Sequence, residues 1–364
     1  MNLITKTAIQ IKDRIGEIEG AKLAEDLEKM LNTWHSLPEI YDEQIENYIL
    51  QTKLLYTNIR NQNGNYYRSS YADACKRSLY HMRLGDKRDR VQHQPHQGRW
   101  TRIGTAVGDI IQRDLLYIAK HYKRQTGEEP KFKPVFIENP QPNSFGITEL
   151  PMWEEFAAKE TTVHHKGHTI PLKGQPDGIL ETQDGKKIGL EIKTKQTTYS
   201  RTGAFSMREP ETKHVKQVIG YSLLYGVDEF IILYINTSKF AWNLDDDKMR
   251  KYPDIRAFHV SINDEDVESL LDYFVEVEEA IKLHQPPPID WDKWTFNNYK
   301  EAIAQSMTPE EIEELEFELD QAKRELEIFE PSGKKKNPPY KLRSRVETLQ
   351  SAYDFVREVI TSKS

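Results

Sequence analysis

The chain of 364 residues contains one cysteine, Cys75, so it can form neither an internal disulfide nor a metal centre built from cysteines alone. It has no apolar run long enough to cross a bilayer, and its first residues lack a signal-peptide pattern. We therefore expect a cytoplasmic protein without a membrane partner. The chain also lacks a basic excess, because its net charge is −7. This excludes a globally basic nucleic-acid binder but leaves room for a local basic cleft.

The composition is that of a soluble globular protein, with 37% hydrophobic and 30% charged residues. Helical periodicity over residues 1–65 predicts an N-terminal helical cap. Residues 66–285 mix strand and helix signals, and the nearly continuous apolar run at 229–236 is typical of a strand buried on both faces. After the prolines at 286–288, residues 286–364 predict a C-terminal helical hairpin. The fold class is therefore α/β, a mixed β-sheet flanked by helices with helical additions at both ends.

The stretch from 174 to 195 reads as a β-hairpin, because two apolar-flanked runs are separated by Gln-Asp-Gly. A two-residue loop would place Asp177 next to Ile192 and turn Glu191 to the opposite face. A three-residue loop, 183–185, would instead pair Thr182 with Lys186 and place Asp177 opposite Glu191. Gly185 then occupies the left-handed position that such loops need. We expect this second register, with roughly 4.5–5.5 Å between the two acidic Cβ atoms.

In this register Asp177, Glu191, Lys193 and Lys195 share one face, while Leu190 and Ile192 point into the core. Two like charges opposite each other destabilise a sheet unless something compensates them. A hard divalent cation would do so, because Mg²⁺ prefers oxygen ligands and commonly uses one or two carboxylates with waters and phosphate oxygens. Such an ion supports phosphodiester cleavage. Lys193 is placed to hold or deprotonate the attacking water or to stabilise transition-state charge.

These residues resemble a known nuclease core. The chain contains a pattern similar to the PD-(D/E)XK motif, in which Pro176-Asp177 is followed, after thirteen residues, by Glu191-Ile192-Lys193. The following helix carries Gln217 and Tyr221, which resemble the Q-x-x-x-Y motif of the RecB-like branch and of bacteriophage-type recombination exonucleases.

The resemblance implies a restriction-endonuclease-like core and a DNA exonuclease that uses one or two Mg²⁺ or Mn²⁺ ions. Asp177, Glu191 and the carbonyl of Ile192 would bind metal, and Gln217 and Tyr221 would support the site. A structure-specific or restriction-type endonuclease uses the same hairpin, so that alternative stays open. A catalytically inactive DNA-binding protein of the same fold is a further alternative.

The first motif of this family departs from its usual pattern. Gly104 is followed four residues later by Gly108, where the family has His or Glu as a metal ligand. Asp109 is the neighbouring candidate if the helix is rotated, and we expect Asp114 on the solvent side of the same helix.

Basic residues outnumber acidic ones between 68 and 102 and alternate with aromatic residues, a pattern that suits nucleic-acid binding. Within it, Lys76 and Arg77 are candidate phosphate contacts. A Ser/Thr-rich loop after the hairpin adds further candidates: Lys195, Arg201, Arg208 and Lys213. DNA is the expected partner, and family likeness adds a recombination partner protein. The sequence leaves oligomerisation and the cleavage polarity open.

Overall fold

The computed structural model describes residues 3–56, 65–90, 94–140, 146–329 and 340–362. The helices are α1 Leu3–His35, α2 Glu43–Tyr56, α3 Lys76–Leu84, α4 Pro95–Thr126, α5 Thr212–Tyr225, α6 Asp246–Lys251, α7 Asp264–Leu283, α8 Lys300–Ser306, α9 Pro309–Phe329 and α10 Tyr340–Thr361. The strands are β1 Tyr67–Arg68, β2 Phe132–Pro134, β3 Phe136–Glu138, β4 Glu149–Pro151, β5 Lys159–His165, β6 His168–Gly174, β7 Gly178–Thr182, β8 Lys187–Lys195, β9 Glu229–Asn236 and β10 Ile255–Ser261.

A central mixed sheet has the strand order β10-β9-β8-β7-β2. Strands β8 and β9 are parallel and are connected through α5, whereas the other neighbouring pairs are antiparallel. Strand β9 is fully buried from Phe230 to Tyr234, as its continuous apolar run predicts. The predicted α/β class with a mixed sheet between helices is therefore confirmed.

Helices cover both faces of this sheet. On one face, Leu27 and Leu31 of α1 and Leu115 of α4 pack with Leu190 and Ile192 of β8. On the other, the apolar side chains of α5 and α7 pack against alternate residues of β7 and β9. Each fully buried Leu, Ile or Phe side chain stabilises the fold by about 1.5–3 kcal/mol. The N-terminal helix thus contributes directly to the core of the sheet.

Two smaller sheets complete the core, with strand orders β1-β6-β5 and β3-β4. The sequence predicts one strand over 132–138, but the structure divides it after Pro134, which cannot donate a hydrogen bond to a ladder. A strand predicted over 153–165 begins only at Lys159. Before it, Glu154–Ala157 form a 3₁₀ turn in which Glu154 has a positive φ of 45°.

The C-terminal helices form their own apolar cluster around Trp294, with Leu315 and Leu319 of α9 and Leu349 and Val356 of α10. Helices α9 and α10 pack against each other through this cluster, and residues 330–339 between them lie outside the described residues. Part of the predicted N-terminal cap, residues 57–64, lies outside the described residues. The division at 65 and 285 remains a prediction.

Candidate metal and phosphodiester site

The hairpin of β7 and β8 has the register predicted from its three-residue loop. Gly178 pairs with Leu190, and Glu181 pairs with Lys187. Gly185 adopts a φ of +84°, and the N–H of Thr182 donates to the carbonyl of Lys186 at 2.9 Å. Continuing this register by one residue places Asp177 directly across from Glu191.

The structure brings Asp177, Glu191 and Lys193 together. The N–H of Ile192, next to Glu191, donates to Asp177 Oδ2 at 2.6 Å. Lys193 Nζ lies 2.5 Å from Glu191 Oε1. Gln112 of α4 donates from Nε2 to the main-chain carbonyl of Asp177 at 3.0 Å, which fixes the chain where β7 begins. Glu191 is buried, whereas Asp177 and Lys193 are partly exposed, so the site opens to solvent on one side.

The charges of this site are not balanced, because two carboxylates share one ammonium group. Burial and the charge of Glu191 hold the pKa of Asp177 well above its usual range. Burial also raises the pKa of Glu191, although Lys193 offsets part of this effect. The two acids in turn raise the pKa of Lys193 against the effect of its burial. A further positive charge would relieve the surplus negative charge.

Gln217 and Tyr221 connect to this group through one chain of hydrogen bonds. Lys193 Nζ donates to Gln217 Oε1 at 3.1 Å, and Gln217 Nε2 donates to the Tyr221 hydroxyl at 2.7 Å. The two residues lie one helical turn apart on α5 and so share a face. Burial, followed by the charges of Glu191 and Asp177, raises the pKa of Tyr221 well above its usual range. Tyr221 therefore remains a neutral hydrogen-bonding group.

The donor set fits a hard cation with few protein ligands. Glu191 Oε2 is buried and has no hydrogen-bond partner among the described residues. Leaving a buried carboxylate oxygen unpaired is costly, and a cation would satisfy it. No group of three or more His, Cys, Asp or Glu residues suited to a metal occurs in the described ranges. Two carboxylates suffice for Mg²⁺, which keeps several of its waters.

Asp109 does not join this group. Its Oδ2 lies 3.1 Å from Lys53 Nζ on α2, and the side chain is 39% exposed. The expectation that it substitutes for the missing ligand is therefore not met. The reason is helical geometry, since one residue beyond Gly108 is turned by about 100°.

Gly104, Gly108 and Gln112 form the row of α4 that faces the hairpin. A methyl group at Gly104 would lie 3.4 Å from Thr194 Oγ1, whereas one at Gly108 would meet no described atom within 4 Å. The space beside Gly108 is thus open among the described residues. Asp114, expected on the solvent side, is instead buried and lies 3.0 Å from His35 Nε2, because α1 covers that side of the helix.

Lys76 and Arg77 are not available as phosphate contacts, contrary to expectation. Arg77 is 1% exposed, and its guanidinium donates to the carbonyl of Pro287 and to Glu311, each at 3.0 Å. Lys76 pairs with Glu276 of α7. Helix α3 lies between α7 and the C-terminal helices, so Lys76 and Arg77 form ion pairs that connect it to α7 and α9.

The basic residues after the hairpin are closer to expectation. Arg201 and Arg208 are exposed, and Lys213 Nζ lies 3.4 Å from Glu211. Lys195, two residues beyond Lys193, pairs with Glu211 at the start of α5. Burial opposes the charged form of Glu211, but its hydrogen bond with Lys195 and the nearby lysines outweigh burial and lower its pKa to about 2.

Glu154 is a neighbour of the site that sequence patterns do not single out. Its N–H donates to the carbonyl of Pro176 at 2.8 Å, one residue before Asp177. Its charge, after burial and Glu191, also raises the pKa of Asp177. A 3₁₀ turn without a motif gives no sequence signal for this placement.

Comparisons with known proteins give low similarity only. No family model matches the chain, and no curated protein matches it. The solved structure of SSO0001 is 14% identical in sequence to this chain and has a TM-score of 0.37. The match covers 74% of this chain and 97% of the SSO0001 chain. An alkaline exonuclease from Laribacter hongkongensis is 14% identical in sequence and has a TM-score of 0.34. The match covers 60% of this chain and 91% of the exonuclease chain. Its complex with dAMP is 15% identical with a TM-score of 0.32 over the same shares. Scores this low add no argument about function.

Within the ranges that the structure describes, every helix is too short or too polar to span a bilayer.

Proposed function

We propose that this protein is a metal-dependent deoxyribonuclease that hydrolyses phosphodiester bonds with Mg²⁺ or Mn²⁺. One observation carries the proposal: Asp177, Glu191 and Lys193 lie together, and a buried oxygen of Glu191 has no hydrogen-bond partner in the part of the chain that the structure describes. Asp177, Glu191 and the carbonyl of Ile192 would hold the cation. When bound, such an ion lowers the pKa of a water and stabilises charge on the phosphate oxygens.

The remaining residues position groups around this centre. Lys193 uses two of its donor positions on Glu191 and Gln217, and its third is available to a water or a phosphate oxygen. Gln217 fixes the direction of the Lys193 amine, and Tyr221 in turn fixes the amide of Gln217. Gln112 fixes the backbone of Asp177 from the opposite face of the sheet. Arg201 and Arg208 would contact the DNA backbone beyond the end of β8, together with Lys195 and Lys213, which share the single acid Glu211 and so keep one positive charge in excess.

We propose cleavage from DNA ends, as in recombination, repair or phage DNA metabolism. The Gln217–Tyr221 pair supports cleavage from ends, because it resembles the exonuclease motif. Gln217 of this pair accepts a hydrogen bond from Lys193. The cytoplasmic location, a recombination partner protein and an oligomeric form remain expectations. A catalytically inactive DNA-binding protein is the second candidate. It is favoured by the open space at Gly108, where the family has a metal ligand.

A single set of incubations separates these functions. Purified protein is mixed with linear and with circular duplex DNA, in Mg²⁺ or in EDTA. We expect loss of linear DNA in Mg²⁺ alone, and circles that remain intact. Nicked circles would identify an endonuclease, and binding without cleavage in any metal would identify the inactive alternative.

Two substitutions that keep side-chain volume test the site itself. Asp177→Asn and Glu191→Gln remove a metal-binding charge, and the loss of several kcal/mol of charge stabilisation predicts about a 1000-fold lower rate. DNA binding, measured in EDTA, is expected to change little. Asp109→Asn is the control, because its side chain pairs with Lys53 away from the site. Cleavage at the wild-type rate by either site variant would refute the assignment.

A further inference from the structure

Aromatic side chains gather just beyond the carboxyl ends of β8 and β9. The rings of Tyr199 and Phe240 lie 4.6 Å apart at 85°, and those of Tyr199 and Tyr252 lie 5.1 Å apart at 89°. The Phe240 and Tyr252 rings are nearly parallel, with an angle of 8°. These are favourable aromatic arrangements, and they join three separate segments. We call Tyr199, Phe240 and Tyr252 the aromatic platform.

Several aromatic side chains of the platform and of the chain next to it are exposed to solvent. Trp242, two residues after Phe240, is 99% exposed, and Phe205 is 72% exposed. Phe240 itself is 44% exposed although it packs on two rings. A single exposed apolar residue needs no explanation, but several exposed rings in one region mark a surface that binds a ligand.

Hydrogen bonds fix this region to the strand that carries Glu191 and Lys193. Asn236, fully buried at the end of β9, donates from Nδ2 to the carbonyls of Thr198 and Tyr199 at 2.9 and 3.1 Å. The N–H of Thr237 donates to the carbonyl of Lys195 at 2.9 Å. Along β8, Lys195 is roughly 13 Å from Glu191. At about 3.4 Å per stacked nucleotide, the span from site to platform corresponds to several nucleotides.

Basic side chains lie against the rings of the platform. Lys248 Nζ lies 5.8 Å from the centre of the Phe240 ring, and Lys251 Nζ lies 5.3 Å from that of Tyr252. Arg201 is exposed two residues after Tyr199. Three acids of this loop are paired within it, as Lys248–Asp245, Arg250–Asp247 and Lys239–Asp254, and Asp246 is exposed, so Lys251 and Arg201 are the cations that the proposal uses. Rings interleaved with cations are the chemistry by which proteins hold single-stranded nucleic acid.

We propose that the aromatic platform and Trp242 bind unpaired bases of the DNA strand whose backbone enters the carboxylate site. The choice of DNA as the ligand rests on the proposed function. Paired bases bury their faces against one another, so only unpaired nucleotides offer a free face to these rings. The platform therefore selects single-stranded or overhanging ends over blunt duplex.

Equilibrium binding in EDTA, where metal-dependent cleavage cannot occur, tests this proposal. Fluorescently labelled single strands, duplexes with an overhang and blunt duplexes are titrated with protein, and anisotropy is recorded. Since stacking on one ring contributes about 1–3 kcal/mol, Trp242→Ala should weaken single-strand and overhang binding by about 5- to 150-fold. Binding to blunt duplex should change less than about twofold. Trp242→Phe, which keeps an aromatic face, should restore most of the affinity, and Trp242→Leu should not.

Folding is not at risk in these variants, because the Trp242 side chain is almost entirely in solvent. Phe317→Ala is the matched control, since Phe317 is 69% exposed on α9, a helix that packs in the separate C-terminal cluster. Unchanged single-strand affinity in Trp242→Ala, or equal losses on all three DNAs, would overturn the inference. Cleavage activity is measured in parallel. Cleavage without a Trp242 effect refutes only the platform, whereas Trp242-dependent binding without cleavage refutes only the nuclease.

Discussion

The hairpin 177–195 and helix α3 both carry charges that sequence patterns assign to a nucleic-acid-processing surface, yet the fold uses them differently. In the hairpin, Asp177 and Glu191 share one amine, and Glu191 retains an unpaired oxygen among the described residues. In α3, acids of α7 and α9 neutralise Lys76 and Arg77. The two carboxylates of the hairpin are therefore only partly neutralised, whereas Lys76 and Arg77 of α3 are each paired with an acid.

The difference teaches that a charged residue is available for function only when the fold leaves it uncompensated. The partners of Lys76 and Arg77 lie 200 and 234 residues away in the chain. No local pattern indicates such pairing. The surplus in the hairpin, by contrast, follows from strand register and is visible in a short stretch.

The sharpest test of this comparison lies within β8 itself. Lys193 and Lys195 share a face of the strand, but Lys193 contacts Glu191 and Gln217 whereas Lys195 pairs with Glu211. We expect Lys193→Met to lower kcat by about 100- to 1000-fold, the usual effect of losing one preorganised donor at a reacting centre. Single-turnover cleavage of end-labelled duplex measures this effect.

Lys195→Met is the matched control, with the same change of side chain two residues further along. It should raise KM by less than about tenfold, because it removes a contact with the DNA backbone. It should leave kcat nearly unchanged, because Lys195 pairs with Glu211 and not with Asp177 or Glu191. If both variants lose kcat equally, strand position rather than contact with Glu191 determines the effect, and the role given to Lys193 is wrong.

The next largest effect is expected on stability, in α3. Arg77 is buried and donates to the carbonyl of Pro287 and to Glu311, whose side chain is 27% exposed, so Arg77→Ala removes the buried partner of a partly exposed pair. The loss of hydrogen bonds from a charged group costs about 1.5–3 kcal/mol of unfolding free energy. Urea unfolding followed by circular dichroism measures it. DNA affinity of the folded protein should stay the same.

Lys76→Ala supplies the comparison, since the pair of Lys76 with Glu276 is more exposed and should contribute at most about 1 kcal/mol. A loss of DNA affinity in Arg77→Ala without a loss of stability would restore the phosphate-binding role that the sequence suggested. It would also break the distinction drawn between the two segments.

Local patterns predict much of the site because they set its geometry directly. Gly185 determines the loop, the loop determines the register, and the register places Asp177 opposite Glu191. Helical spacing likewise places Gln217 and Tyr221 on one face. The contacts of Asp109, Asp114 and Arg77 depend on which helix packs against them, and the 3₁₀ turn that places Glu154 depends on its neighbours. Local periodicity contains neither kind of information.

The smallest expected effect concerns the pH dependence of stability in the metal-free hairpin. Burial raises the pKa values of Asp177 and Glu191 in the folded state above their unfolded values of roughly 4, and the charge of Glu191 adds to the shift of Asp177. A raised pKa stabilises the folded state fully below the unfolded value, and this contribution is lost as pH rises through the folded value. In EDTA, we therefore expect the Tm of the wild type to fall relative to that of Asp177→Asn as pH rises above about 4, because the amide of the variant cannot ionise. Mg²⁺ should reverse the fall in the wild type, since a cation favours the ionised carboxylates.

Arg77→Ala, whose ion pair lies outside the hairpin, should keep the wild-type dependence of Tm on pH, at a lower Tm. An Asp177→Asn slope equal to that of the wild type would mean that the surplus charge is neutralised by other groups. The hairpin would then be as internally compensated as α3.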